Sequence, residues 1–416
     1  MTLYVSAGGT GDCTTQVNAC GSIQTAINAA EAGTYNGDDV TIDVAAGTYT
    51  ENDSVSASSL NSLTIAGAGA ISTIVNGGGV QTVFTVSDGT VTISGLTITN
   101  GLANQPGAFG PGTASGGILN TAALTVTDST LSDNSGIDGG GIQNYAGATM
   151  NVTDSTLSGN SGAGAGGGIF NAGSTMNITD STLSGNSGGC SGGGIWNTAA
   201  SQYGAGSTMK ITDSTLSGNS AGCTGGGIGT YNSSTSIGAT IIAGNGGSNC
   251  GDAAGSPVTS VGYNLTDNGT CGFTSATDVT VAPAAVGLGA LGNNGGPTQT
   301  ILPAAGSPAI GVIPNPTTLN GVNVCPRTDQ RGVASVPGAN CTIGAVEVAA
   351  TATVHVTATP SPATLGNVTY HVTVSGAGAT PTGSVSVSDE YRSCSIATLN
   401  GSGAGSCRFG EPAGTH

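Results

Sequence analysis

The middle of this chain repeats itself at a nearly fixed period. Asp128-Ser129-Thr130-Leu131 returns as Asp154-Ser155-Thr156-Leu157, as Asp180-Ser181-Thr182-Leu183 and as Asp213-Ser214-Thr215-Leu216, in steps of 26, 26 and 33 residues. A second block keeps phase with the first: Gly139-Gly140-Gly141-Ile142, Gly166-Gly167-Gly168-Ile169, Gly192-Gly193-Gly194-Ile195 and Gly225-Gly226-Gly227-Ile228. A unit this short cannot bury a hydrophobic face alone, so it must stack on its neighbours. Within a unit apolar and polar residues alternate, as in Met150-Asn151-Val152-Thr153. Alternation over three to five residues, bounded by Asn and Gly, predicts short strands. Glycine triplets and threonine runs at this density exclude helix. One coil of a parallel β-helix meets all of these demands. Successive coils then stack at the strand spacing of about 4.8 Å, and the longer step reads as a loop bulging from a corner over 200–206.

Stacking gives each row of residues a task. Leu131, Leu157, Leu183 and Leu216 form one internal ladder, and Ile118, Ile142, Ile169, Ile195 and Ile228 another. Asn134, Asn160, Asn186, Asn219 and Asn245 are expected to bond from coil to coil inside a turn. The glycines permit positive φ at the opposite corner. Thr130, Thr156, Thr182 and Thr215 are expected to face water. At the N-terminal end, Ile23, Ala26, Ile27 and Ala30 form one stripe of a short helix over 22–32, capped by Ser22, that covers the open edge of the stack.

The expected fold is all-β: a right-handed parallel β-helix solenoid with a short N-terminal capping helix, followed by a partial β-sandwich module. The solenoid is assigned to 1–348, with a capping segment at 1–45, regular coils over about 60–290 and an irregular, proline-marked region at 291–348. Residues 349–416 form the second module, with Pro360, Pro362 and Pro381 at its turns. It is expected to be truncated, since another strand should follow Gly414-Thr415-His416.

Charge narrows the function classes. Five Lys plus Arg stand against 22 Asp plus Glu, a formal net charge of -17. Such a chain lacks the cations that bind phosphate, so nucleic acid and anionic lipid surfaces are excluded as partners. No apolar run is long enough to span a membrane. The 10 cysteines fall into local pairs: Cys13 with Cys20, Cys250 with Cys271, Cys325 with Cys341, and Cys394 with Cys407. Cys190 and Cys223 remain, each just ahead of a glycine triplet, and are expected to bridge adjacent coils. An even count with local pairing implies an oxidising, extracellular or cell-surface location. No leader or anchor is read in the chain, and a monomer is expected.

Several segments carry a family resemblance. The Gly-Gly-Gly-Ile and Leu-Ser-Gly-Asn blocks resemble the repeats of polymorphic outer-membrane proteins within the pectin-lyase-like β-helix fold, with Leu in place of their Phe. Asn293-Asn294-Gly295-Gly296-Pro297-Thr298-Gln299-Thr300, Gly306-Ser307-Pro308-Ala309-Ile310, Asp329-Gln330-Arg331-Gly332 and Cys341-Thr342-Ile343-Gly344-Ala345-Val346-Glu347 together resemble the terminal region of bacterial choice-of-anchor Q surface proteins. Residues 354–416 resemble a bacterial immunoglobulin-like repeat. These resemblances imply export and surface display, and no particular chemistry.

Candidate chemistry is sparse. Asp128, Asp154, Asp180 and Asp213 could supply paired carboxylates or a calcium row. They recur in every coil, which is the mark of a corner former rather than a catalytic pair. Lys210 is the solenoid's one cation before residue 300 and is expected to be solvated. Phe170 and Trp196 stack in register and offer a face for glycans. No catalytic residue and no cofactor are assigned. The expected function is a non-catalytic, adhesin-like extracellular display protein whose partners are glycans or other surface proteins. The alternatives are a carbohydrate-binding module and a calcium-dependent polysaccharide lyase or glycoside hydrolase.

Overall fold

A computed structural model describes residues 1–416 except 104–114, 201–205, 254, 350–351, 360–365, 377–383, 389–391 and 412–416. The chain winds as a right-handed parallel β-helix. Ten strands from Thr2–Val5 to Val258–Gly262 form a first sheet, and ten from Gly47–Thr50 to Val279–Thr280 form a second. Eight from Asp53–Ser56 to Cys250–Ala253 form a third. Each strand pairs with its counterpart one coil on. Met150 thus lies beside Met176 and Met176 beside Met209 in the first sheet. Leu131, Leu157, Leu183 and Leu216 are in register in the second, and Ile142, Ile169, Ile195 and Ile228 in the third. All of these side chains are fully buried. A fourth sheet holds five short strands, four of which, such as Ser135–Asp138 and Ser161–Ala165, follow directly on a ladder asparagine. The repeat does not announce it, because its Ser and Gly residues carry no apolar alternation.

The corners are built by hydrogen bonds between coils. Asp128, Asp154, Asp180 and Asp213 turn the chain with φ of 50°, 50°, 47° and 49°, a conformation that Asp tolerates better than most residues. At the next turn Asn134 Nδ2 donates to Asn160 Oδ1 (3.0 Å), and Asn160 Nδ2 to Asn186 Oδ1 (3.0 Å). The ladder continues through Asn219 to Asn245. Each amide also bonds the backbone of the coils on either side: Asn160 Nδ2 donates to Leu131 O one coil earlier, Asn160 Oδ1 accepts from Asn134 N–H, and Asn160 N–H donates to Asn186 Oδ1 one coil on. A second buried ladder, Asn120 to Asn144 to Asn171 to Asn197 with 2.8 Å bonds, runs inside the third sheet. Its signal was an Asn two residues after each stacked Ile. Asn160→Ala strands several of these groups in a dry turn and is expected to cost about 1–3 kcal/mol. Ser158→Ala, whose hydroxyl makes no hydrogen bond among the described residues, should stay within about 0.5 kcal/mol. Urea denaturation of the two variants checks the contrast.

Close backbone approach explains the glycine triplets. A Cβ on Gly193 would lie 2.2 Å from Ser220 O, and Gly192 has φ +61°. The loop beside them is bridged: Cys190 and Cys223 have Cα atoms 4.6 Å apart and form a disulfide. The longer coil returns in phase, with Thr182 beside Thr215 and Ile195 beside Ile228. The insertion itself, 201–205, lies outside the described residues. The other four disulfides join Cys13 to Cys20, Cys250 to Cys271, Cys325 to Cys341 and Cys394 to Cys407.

The N-terminal edge is capped by a helix, Ile23–Glu31, which buries Ile23, Ala26, Ile27 and Ala30. Ser22 Oγ accepts from Thr25 N. Glu51, from a neighbouring coil, accepts from the N–H groups of Ile23 and Gln24 and from Ser22 Oγ, placing a carboxylate at the positive end of the helix.

After Thr280 the stack ends and the chain doubles back. Residues 293–347, here called the strap, run over the outer face of the second sheet, steadied by two short antiparallel hairpins. This corrects the expectation that the threonine row faces water. Thr156, Thr182 and Thr215 point out of the solenoid but are at most 1% exposed, because the strap covers them. Beyond the strap, Ala352–Thr359, Gly366–Gly376 and Ala404–Glu411 form a three-stranded antiparallel sheet. Val385–Ser388 pairs with Ser393–Ile396. Val372, Val374, Ile396 and Leu399 are the buried centre of this module. Pro360, Pro362, Pro381 and Gly414-Thr415-His416 lie outside the described residues. Among the described residues no helix is long and apolar enough to cross a membrane.

Candidate functional site

The acidic row and the strap meet at one place. Asp154, Asp180 and Asp213 stand one coil apart at the corner between the first and second sheets, and the strap lays Arg327 against the last two. Arg327 has a side chain only 3% exposed. Its Nη1 bonds Asp180 Oδ1, its Nε lies 3.5 Å from Asp213 Oδ1 and 4.0 Å from Glu347 Oε2, and its Nη2 donates to Gly344 O at 2.5 Å. A planar guanidinium suits this task because its donors diverge toward several acceptors at once.

Gln330 fastens the next part of the strap. Its Nε2 donates to Thr156 Oγ1 (2.9 Å), Thr298 Oγ1 (2.9 Å) and Ser155 O (3.2 Å). Its Oε1 accepts from Thr182 Oγ1 at 2.6 Å. Farther on, Ala345 N–H donates to Thr215 Oγ1 (3.1 Å) and Gly344 N–H to Ala239 O (2.9 Å). Asp329 ties the strap to itself, accepting from Arg331, Val333 and Glu347. In Asp329-Gln330-Arg331-Gly332, then, the Asp and Arg shape the strap while the Gln grips the solenoid.

Burial sets the electrostatics. It pushes the Asp154 carboxyl up to about 7, helped by the charges of Asp180 and Asp128. Burial also raises Asp180, to about 6, against the pull of Arg327. Asp213 and Glu347 are raised for the same leading reason. Arg327 is opposed by its own burial, but the surrounding carboxylates outweigh this and raise it further. Of the row, Asp180 and Asp213 are engaged by the strap. Asp154 keeps a half-buried carboxyl, while its backbone oxygen accepts from Thr298 Oγ1. Asp128 sits at the same corner one coil earlier, half-buried and outside the ion-pair cluster. Among the described residues no group of three or more His, Cys, Asp or Glu is placed to hold a metal ion.

Phe170 and Trp196 are register neighbours on the third sheet, and both are half-buried. Phe170 packs against Tyr145, Ala172 and Ala200. The Trp196 indole lies down over Gly229, where a Cβ would meet it at 2.5 Å. Lys210 is exposed on the first sheet, beside a shallow cleft that also holds Asn151, Asn177 and Asn320.

Sequence reasoning did not find Arg327 or the grip of Gln330. The motif around Gln330 stood out, but its partners lie about 150–175 residues earlier in the chain, and no local spacing signals such a contact.

No family model matches this chain, and no curated protein matches it. Among solved structures it is similar to the pectin methylesterase PemA from Erwinia chrysanthemi, with 13% identity, 67% of this chain and 80% of that chain covered, and a TM-score of 0.29. It is also similar to the pectin methylesterase from Aspergillus niger, with 13% identity, 68% and 90% covered, and a TM-score of 0.29. No residue role is carried over from either.

Proposed function

We propose that this chain is a non-catalytic, exported display protein, a rod that works at the cell surface or outside the cell and meets glycans or other surface proteins. One observation carries the reading: the half of the acidic row at Asp180 and Asp213, where titratable side chains gather on the solenoid, is occupied by the protein's own strap. Asp180 and Asp213 neutralise a buried arginine, and Gln330 fills the space between the threonines. The resemblance to choice-of-anchor Q surface proteins supports it, because the segments that carry it form this strap. Five disulfides accord with an oxidising exterior.

A second reading, an enzyme that acts on polysaccharide, draws on Asp154. A carboxyl held at about 7 suits a general acid near neutral pH. Incubating the purified protein with pectate, alginate and neutral glucans, with and without calcium, separates the two. The display reading expects no turnover. Turnover that disappears in Asp154→Asn would replace it with the enzymatic one.

A further inference from the structure

We propose that the uncovered end of the second sheet's outer face is a binding site for a neutral glycan. The strap occupies the threonine row at Thr156, Thr182 and Thr215 but leaves Thr97 and Thr130 open. Its first residues, Asn293 and Pro297 to Gln299, line a cleft of about 400 Å³ together with Thr97 and Thr130. That volume lies in the range of small-ligand sites.

The strap demonstrates what this face does. Threonine hydroxyls projecting from successive coils hydrogen-bond separate segments of the strap laid over them: Thr156 donates to Gln299 O, and Thr215 accepts from Ala345 N–H. One coil earlier the same surface continues without an occupant from the strap. The hydroxyls of Thr130 and Ser158, the carboxylate of Asp133 and the amide NH₂ of Asn293 line the cleft, and among the described residues none of them has a hydrogen-bond partner. Together they offer two hydroxyls that donate or accept, a carboxylate that accepts several bonds, and an amide that donates two.

That set matches the vicinal hydroxyls of a sugar. Ile71, 70% exposed, lines the same cleft with Ala70 and Pro297 and supplies an apolar wall for the C–H face of the ring. Charge decides the class. Among the described residues of the lining Asp133 alone is charged, and the chain carries -17 overall, so a uronate, sulfate or phosphate is repelled while a neutral sugar is not. The site lies apart from the Phe170–Trp196 face, and it stands or falls independently of the display reading.

Calorimetric titration of the full chain with cellotetraose, laminaritetraose and mannotetraose tests the site, with tetragalacturonate and a tetra-alanine peptide as contrasting arms. At least one neutral tetrasaccharide is expected to bind, and tetragalacturonate is not. Asp133→Asn keeps a residue that tolerates the positive φ of 55° at that turn. It should weaken binding about tenfold, as loss of a charged hydrogen-bond acceptor does. Thr130→Val should weaken binding in the same direction, and Trp196→Ala should leave it unchanged. The proposal is overturned if no neutral tetrasaccharide binds, if the peptide or tetragalacturonate binds instead, or if affinity survives Asp133→Asn and Thr130→Val but is lost in Trp196→Ala.

Discussion

Arg327→Ala is expected to destabilise the protein by about 3–5 kcal/mol, the usual cost of removing one partner from a buried ion cluster. Asp180, Asp213 and Glu347 surround the guanidinium in a nearly dry site, and without it their charges face one another. Burial already raises all three carboxyls, so they would take up protons in the variant, and the loss should be smaller at pH 4 than at pH 8. Arg327→Lys keeps a charge but replaces a planar fork with a single ammonium. It cannot reach Asp180, Asp213 and Gly344 O together, and it should recover only part of the loss. Chemical denaturation of the three proteins at both pH values provides the comparison. Equal stability of Arg327→Ala and the parent at pH 8 would contradict the assignment of Arg327 as the strap's anchor.

The second large effect concerns Asp53, beneath the N-terminal helix. It is 2% exposed, and among the described residues neither carboxyl oxygen has a hydrogen-bond partner. Burial, reinforced by the charge of Glu51, pushes it up to about 9. In the unfolded chain an Asp titrates near 3.9. Between those values the folded state holds the proton more tightly, so stability is full below about pH 4 and declines as pH rises toward 9. Each pH unit in the window costs about 1.4 kcal/mol, so by pH 8 the burden is on the order of several kcal/mol. Asp154 and Asp180, raised to about 7 and 6, add a decline of the same sign at the acidic end of the window. Asp53→Asn removes the ionisable group and should match the parent at pH 4 but melt at a higher temperature at pH 8. A parent protein whose stability climbs from pH 4 to pH 8 would contradict this reading.

What the sequence disclosed follows from where the information lies. The solenoid was legible because stacking repeats one local pattern, so Leu157, Asn160 and Gly166 each announce a row. The helix was legible from Ile23, Ala26, Ile27 and Ala30, and the bridge between Cys190 and Cys223 from their shared phase with the glycines. The fourth sheet was not, since Ser161-Gly162 and Ser187-Gly188 have no apolar member to alternate. Thr156 shows the sharper limit. Alternation put its side chain outside the solenoid correctly, but outside did not mean in water once Gln330 lay on top of it. The acidic site was half visible: the recurrence of Asp180 and Asp213 identified corner formers, while the arginine that sits between them belongs to a distant segment with no periodic signature.

The strap closes the acidic row at Asp180 and Asp213 as part of the folded solenoid. Native-state hydrogen exchange over residues 327–347 tests it most directly. The N–H groups of Gln330, Gly344 and Ala345, bonded to Ala345 O, Ala239 O and Thr215 Oγ1, should exchange as slowly as those of the coils beneath them, and Arg327→Ala should release them together. Rapid exchange of these amides in the parent protein, beside fully protected coils, would show an open row and contradict the account.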